Sequence, residues 1–100
     1  YELEAEFNSE LAAHGQRRTA FPSIIAGGER IFYLHYANPM SAIADGELIL
    51  SDVGAGYDEY CTDISRVFPA NGHFSERQAQ LYQVAYAANR EQGVLKVVGE

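Results

Sequence analysis

Leu3, Phe7 and Leu11 recur at four-residue spacing with Glu2, Glu4, Glu6 and Glu10 between them, so the chain opens on an amphipathic helix with one apolar stripe. This helix is expected to end at His14, where Gly15 can take the left-handed cap conformation. Past the polar stretch GQRRT the period changes. FPSIIAGG and RIFYLHY are short runs rich in aromatic and β-branched residues, separated by Gly27-Gly28, a pattern that predicts strands with a tight connection. ANPMSAIADGE carries the turn signals Asn38-Pro39 and Asp45-Gly46 and reads as a loop leading into the strand LILSD. Ser75 and Gln78 form a capping box, after which Leu81, Val84, Ala85 and Ala88 follow helical spacing as far as Gly93. The order helix, strands, hairpin, helix predicts an α+β fold, an antiparallel sheet with two covering helices.

The segment LILSDVGAGYDEYCTDISRVF reads as one hairpin, with Asp52 and Asp63 at the inner ends of its arms. Antiparallel partners have position numbers of constant sum and side chains alternate between faces, so any loop with an even residue count puts both aspartates on one face. A turn centred on Tyr57-Asp58 makes them direct cross-strand neighbours, with Cβ atoms about 5 Å apart; a turn at Asp58-Glu59 makes them diagonal neighbours at roughly 7–8 Å. Either spacing admits a small cation between them. Without one, two like charges repel and one group must take up a proton. The pair therefore predicts a metal site or a proton-sharing acid pair.

Composition narrows the partners. One hundred residues, 47% of them hydrophobic, suit a single domain with one core. The net charge of −7 repels nucleic-acid backbone and anionic membrane, so neither is expected as a partner. No apolar run reaches the length of a membrane span, and the acidic start YELEAEF does not serve as a signal peptide. A single cysteine, Cys61, excludes an internal disulfide and points to a reducing, cytoplasmic compartment. The chain reads as incomplete, since it begins at Tyr1 and stops just after Val97 and Val98, an interrupted apolar segment.

The remaining candidates divide. Asp is depleted in strand interiors, yet Asp52 shares its face with Leu48 and Leu50; it is either a strand-end residue bonded to its own backbone or a cation ligand. Asp63 has Cys61 and Ser65 on its face, and Arg66 lies on the other. His35, within IFYLHY, is either a core histidine with one satisfied hydrogen bond or a neutral imidazole poised to hydrogen-bond a reacting group. His14 at a helix end and His73 in the turn NGHF read as structural, and Cys61 has no adjacent cation to activate it. The glycines of DVGAG precede a strand and no lysine follows them, so they make no phosphate cradle. No serine lies in a Gly-x-Ser-x-Gly elbow.

The run GQRRTAFPSIIAGG, then LHY, then DGELILSDVGAGYDEYCTDISRVFPANGHFS and a helix containing QLY, resembles the first half of the catalytic domain of Xaa-Pro aminopeptidases and prolidases, the pita-bread metallopeptidases. The resemblance rests on a histidine before tyrosine, an Asp-x-Gly-Ala strand, an Asp-Ile-Ser/Thr-Arg strand and a Phe-Pro-x-Asn-Gly-x-Phe link, all in order, and covers nearly the whole chain. It implies that residues 1–100 are the amino-terminal half of a pita-bread catalytic domain. It further implies that Asp52 and Asp63 are metal ligands for two divalent ions, manganese with cobalt or zinc as alternatives, and that His35 is a catalytic residue facing a proline-containing peptide substrate. Oxygen-rich ligands suit manganese, and hydrolysis would follow a two-metal mechanism.

The family completes its site with a histidine and two glutamates from the second half of the domain. Beyond Asp63 this chain offers only His73, where the family commonly has lysine, and Glu76, Glu91 and Glu100 in a helix start, a helix end and a tail. Ser51 also replaces the usual aliphatic residue before the first aspartate. The expectation is a peptidase fragment that is inactive alone. The alternative is a non-catalytic, peptidase-like module that binds peptides or proteins. An exposed sheet edge that pairs with a second copy would make the chain a homo-oligomer.

Overall fold

The computed structural model describes the backbone of residues 1–99 and the side chains of residues 1–91. Helix α1 spans Glu2–Ala13, and its C-cap is His14. Gly15 follows with φ +78°, and Gln16 N–H donates back to the Leu11 carbonyl at 3.0 Å, the left-handed stop expected of a glycine there. Leu3, Phe7 and Leu11 are the half-buried stripe.

Strand β1 (Ile24–Gly27) pairs antiparallel with β2 (Leu48–Val53), which pairs antiparallel with β5 (Ile64–Pro69), giving a three-stranded sheet with β2 in the centre. Two short strands, β3 (Gly56–Tyr57) and β4 (Tyr60–Cys61), extend the β2–β5 hairpin to its tip. The partners Asp52↔Ser65, Gly56↔Cys61 and Tyr57↔Tyr60 keep one constant register along the whole hairpin. The turn is therefore Asp58-Glu59, and Asp63 is the diagonal, not the direct, neighbour of Asp52. Both turn residues have positive φ, +47° and +70°, the two-residue geometry whose twist matches the flanking strands.

The core is small and lies where β1 meets β2. Ile24, Ile25, Ala26 and Ile49 are its buried hydrophobic residues among the described ones, and full burial of a large aliphatic side chain contributes about 1.5–3 kcal/mol. Helix α2 spans Glu76–Gly99. Its capping box is formed, with Gln78 N–H donating to Ser75 Oγ at 3.2 Å and Ser75 N–H to Gln78 Oε1 at 2.9 Å. Gln78 Nε2 also donates to the Gly46 carbonyl at 3.0 Å, fastening α2 to the start of β2. Farther along, Tyr82, Ala85, Tyr86 and Asn89 share a cleft with Leu50, Ser65, Arg66 and Val67 of the sheet. Among the described residues no helix is long and apolar enough to cross a membrane.

Two expectations are corrected. RIFYLHY is not a strand: Gly28 takes φ +59°, the chain turns into a 3₁₀ segment over Gly28–Phe32, and Phe32 and Leu34 are 83% and 88% exposed. The outer edge of β1 is left open, so the departure comes from the turn itself: the left-handed Gly28 directs the chain out of the sheet before RIFYLHY begins. Helix α2 continues through Gly93 instead of stopping there, since an interior glycine costs only about 1 kcal/mol relative to alanine. The apolar pair Val97–Val98 and Glu100 lie outside the residues whose side chains are described.

Gly54 carries the tightest backbone approach. A Cβ there would lie 2.0 Å from the Thr62 carbonyl oxygen, so the hairpin arms close only around glycine. Gly54→Ala is expected to destabilise the fold by about 1–3 kcal/mol through overpacking. At Gly46, with φ +83° and open space around the added carbon, alanine meets only backbone strain of about 1–2 kcal/mol. Denaturant titration of both variants measures the difference.

Candidate metal centre

Asp52 sits one residue from the end of the central strand, paired with Ile24 of β1 on one side and Ser65 of β5 on the other. It is half-buried, and its Oδ1 is fully buried without a hydrogen-bond partner. Asp63 precedes β5 and is exposed. By alternation both side chains leave the same face, and they line one cleft of about 350 Å³ together with Phe21, Pro22, Ile24, His35 and Ala37. The three residues singled out from the sequence, His35, Asp52 and Asp63, thus converge on one cavity.

The two carboxylates interact. Asp63 is held above its ordinary value of 3.8, first by a shared hydrogen bond with Asp52, then by loss of solvent, then by the repulsion of the Asp52 charge. One proton between two carboxylates relieves that repulsion, and so does a cation. A buried carboxylate oxygen with no partner costs more than the roughly 1–3 kcal/mol of a neutral unsatisfied group, and native proteins seldom leave one without a water or an ion to meet it. The donors present are hard oxygens, which suit Mg²⁺, Ca²⁺ or Mn²⁺ better than soft, thiolate-seeking metals. The residues therefore fit a divalent cation. Among the described residues no group of three or more His, Cys, Asp and Glu gathers around them.

His35 reaches the cleft from a loop and not from a strand. It has φ +53° and is exposed, so the core-histidine reading is overturned with the strand assignment. The loop that carries it is tied down at its base. Arg30 donates to the Ala42 carbonyl at 2.8 Å and lies 3.6 Å from Glu47, and Glu47 Oε2 accepts from Ala44 N–H at 3.0 Å. His14 Nδ1 is 3.0 Å from the Glu10 carbonyl, and His73 N–H donates to Asn71 Oδ1 at 2.9 Å; neither lines the cleft.

Sequence reasoning missed the cavity's apolar wall. Phe21, Pro22 and Ile24 lie in the recognised run FPSIIAGG, but nothing local says that β1 docks beside the strand bearing Asp52. It also missed Arg18, whose guanidinium approaches Cys61 Sγ at 3.9 Å; the cation absent from the sequence neighbourhood of Cys61 is supplied across the fold.

Residues 1–94 match metallopeptidase family M24. An Xaa-Pro aminopeptidase of Haemophilus influenzae is 36% identical over 99 residues, 99% of this chain and 23% of that protein. Xaa-Pro aminopeptidase 3 of Homo sapiens is 39% identical over 89 residues, 89% of this chain and 18% of its own length. Among solved structures, proline aminopeptidase P II from Yersinia pestis superposes with a TM-score of 0.89 at 39% identity, over 92% of this chain and 21% of that one. The chain thus spans about a fifth of the length of the relatives it matches. The α+β half-pita-bread architecture expected from the sequence is the fold that this aminopeptidase P structure shares with it.

The carboxylate pair has a pH signature. Because the folded state holds the Asp63 proton more tightly than the unfolded chain does, this group's contribution favours folding at low pH and is lost as pH rises from about 3.8 through the raised value. Asp63→Asn, which never ionises, is expected to gain stability relative to the parent across that window when a chelator is present. Thermal denaturation in a pH series reads the gap between the two, and a gap that narrows as pH rises contradicts the pairing.

Proposed function

The chain belongs to metallopeptidase family M24, and from that premise we propose that it is the amino-terminal half of the pita-bread catalytic domain of a metal-dependent peptidase hydrolysing Xaa-Pro bonds. The observation that carries the reading is the buried, unpartnered Oδ1 of Asp52 beside the Asp63 carboxylate. Its relatives are named Xaa-Pro aminopeptidases, and the family name implies divalent metal use.

Asp52 and Asp63 would hold two divalent ions, with manganese favoured by the all-oxygen donors and cobalt or zinc as alternatives. When bound, such ions supply a Lewis-acid centre that activates water and stabilises charge developing on an amide oxygen. The protein's own share is to fix that centre and the peptide beside it. Asp52, on the central strand, offers a preformed anionic donor, while Asp63 completes the pair from the adjoining arm. His35, exposed at the same cleft, is placed to hydrogen-bond the carbonyl or backbone of a proline-containing peptide. Phe21, Pro22, Ile24 and Ala37 form an apolar wall against which the peptide would lie.

Two carboxylates leave most of a divalent ion's coordination to water, so this chain by itself is proposed to bind metal weakly and to be inactive. The orphaned oxygen speaks against the purely peptide-binding alternative, which gives no reason to retain an unsatisfied carboxylate. A cytoplasmic location accords with the single cysteine, and association of the parent into a homo-oligomer belongs to the same proposal.

In the natural full-length protein assayed for Xaa-Pro cleavage with Mn²⁺, Asp63→Ala is expected to lower kcat/KM by more than about 100-fold, since even residues that only orient metal ligands cost 10–100-fold when removed. His35→Ala should cost about 10²–10⁴-fold if the imidazole acts on the reacting group. Undiminished cleavage by Asp63→Ala would end the assignment.

A further inference from the structure

Resting on the reading of Asp52 and Asp63 as cation ligands, we infer that Thr62 is a positioning residue whose hydroxyl replaces a main-chain rung of the hairpin and so aims Asp63 into the metal cleft. Residues 55 and 62 face each other in the register that runs through the hairpin. A regular pair at such a position exchanges two backbone bonds. Only one is made: Thr62 N–H donates to the Ala55 carbonyl at 2.9 Å. The return bond, from Ala55 N–H, goes to Thr62 Oγ1 at 2.9 Å, a side-chain atom standing in for the Thr62 carbonyl.

The displaced carbonyl turns instead over Gly54, where a Cβ would meet it at 2.0 Å. The peptide linking Thr62 to Asp63 is therefore rotated out of the ladder, and both residues fall outside β4 and β5 although the register continues across them. Asp63 is the next residue along, so the direction of its side chain depends on that rotation.

The opposite arm has little freedom to compensate. Ala20 N–H donates to the Gly54 carbonyl at 2.8 Å and Gly56 N–H to the Arg18 carbonyl at 3.0 Å, and Thr19 bridges Ala55 from the same side. Gly56 is also packed under the Arg18 guanidinium, where a Cβ would lie 2.5 Å from Nε. Residues 54–56 are thus pinned by 18–20, and the adjustment that accommodates the Asp63 carboxylate falls on residue 62. Thr62 is exposed, so it is not placed there to fill the core. A hydroxyl at this position is required, while the methyl group is dispensable.

The test compares Thr62→Val, which keeps the shape and removes the acceptor, with Thr62→Ser, which keeps the acceptor, in the natural full-length protein. Mn²⁺ affinity is measured by isothermal titration calorimetry and the fold by circular dichroism. Thr62→Val should bind Mn²⁺ about 10–100-fold more weakly with an unchanged spectrum, as removal of ligand-orienting groups does, and Thr62→Ser should stay near the parental value. Should valine prevent folding, Thr62→Ala carries the same expectation without branching at Cβ. Parental affinity in the valine or alanine variant, or equal loss in the serine variant, would overturn the inference. Failure of the unsubstituted protein to take up Mn²⁺ would instead bring down the two-aspartate reading, and this one with it.

Discussion

A half-buried carboxylate facing a second carboxylate is the constraint around which the rest of this structure is arranged. Asp52 gains no protein hydrogen bond for its buried Oδ1, and its neighbour Asp63 responds with a raised proton affinity. Two like charges brought together on a sheet cost energy that folding alone does not recover. The hairpin nonetheless builds the arrangement with care: one register from β2 to the Asp58-Glu59 turn, a glycine where the arms touch, and a hydroxyl where the backbone leaves the ladder. Such consistency among local features argues that the acidic pair is a purpose of the hairpin and not an accident of it.

The same residues serve stability and site. The partner of Asp52 on β1 is Ile24, which is buried and also walls the cleft. Ile25, Ala26 and Ile49 complete the buried hydrophobic set among the described residues, within two strands. With so small a core among the described residues, Asp52 is held beside the best-packed part of the chain, which suits its proposed role in holding a cation. Asp63 is placed differently: it is exposed and follows Thr62, whose N–H and Oγ1 bond Ala55 at the margin of the ladder. The two carboxylates thus differ in surroundings, one half-buried on the central strand and the other exposed beside the hydrogen-bonded 55–62 rung.

Much of this was legible before any coordinates. The shared face of Asp52 and Asp63 follows from parity alone, because an even loop suffices whichever turn is used. The stop of α1 at His14 with Gly15 beyond it and the Ser75–Gln78 capping box are local devices written in a few adjacent residues, and they form as read. What failed was non-local. RIFYLHY has strand composition, but Gly28 at φ +59°, beside the Glu47 side chain from nineteen positions on, turns the chain away from the open edge of β1. The approach of Arg18 to Cys61 and of Phe21 to the acidic pair depends on how segment 16–22 returns to the hairpin, which no window of sequence encodes.

His35 belongs to a different class of group from the aspartates, and its placement accords with a different task. Asp52 lies on a strand and Asp63 directly beside one, whereas the imidazole proposed to face the peptide is carried by a loop, a support that can adjust to what arrives. That loop is nonetheless not free at its base. Glu47 accepts from Ala44 N–H and faces Arg30, and Arg30 holds the Ala42 carbonyl. Gly28 takes φ +59°, a backbone that favours glycine, and the absent side chain leaves room for the Glu47 carboxylate, 2.5 Å from where a Cβ would stand. The glycine that broke the expected strand is therefore the one that lets Glu47 gather both ends of the His35 loop against the start of β2. The departure from strand geometry and the placing of an imidazole at the acidic cleft thus meet at one contact between residues far apart in the chain, Gly28 and Glu47.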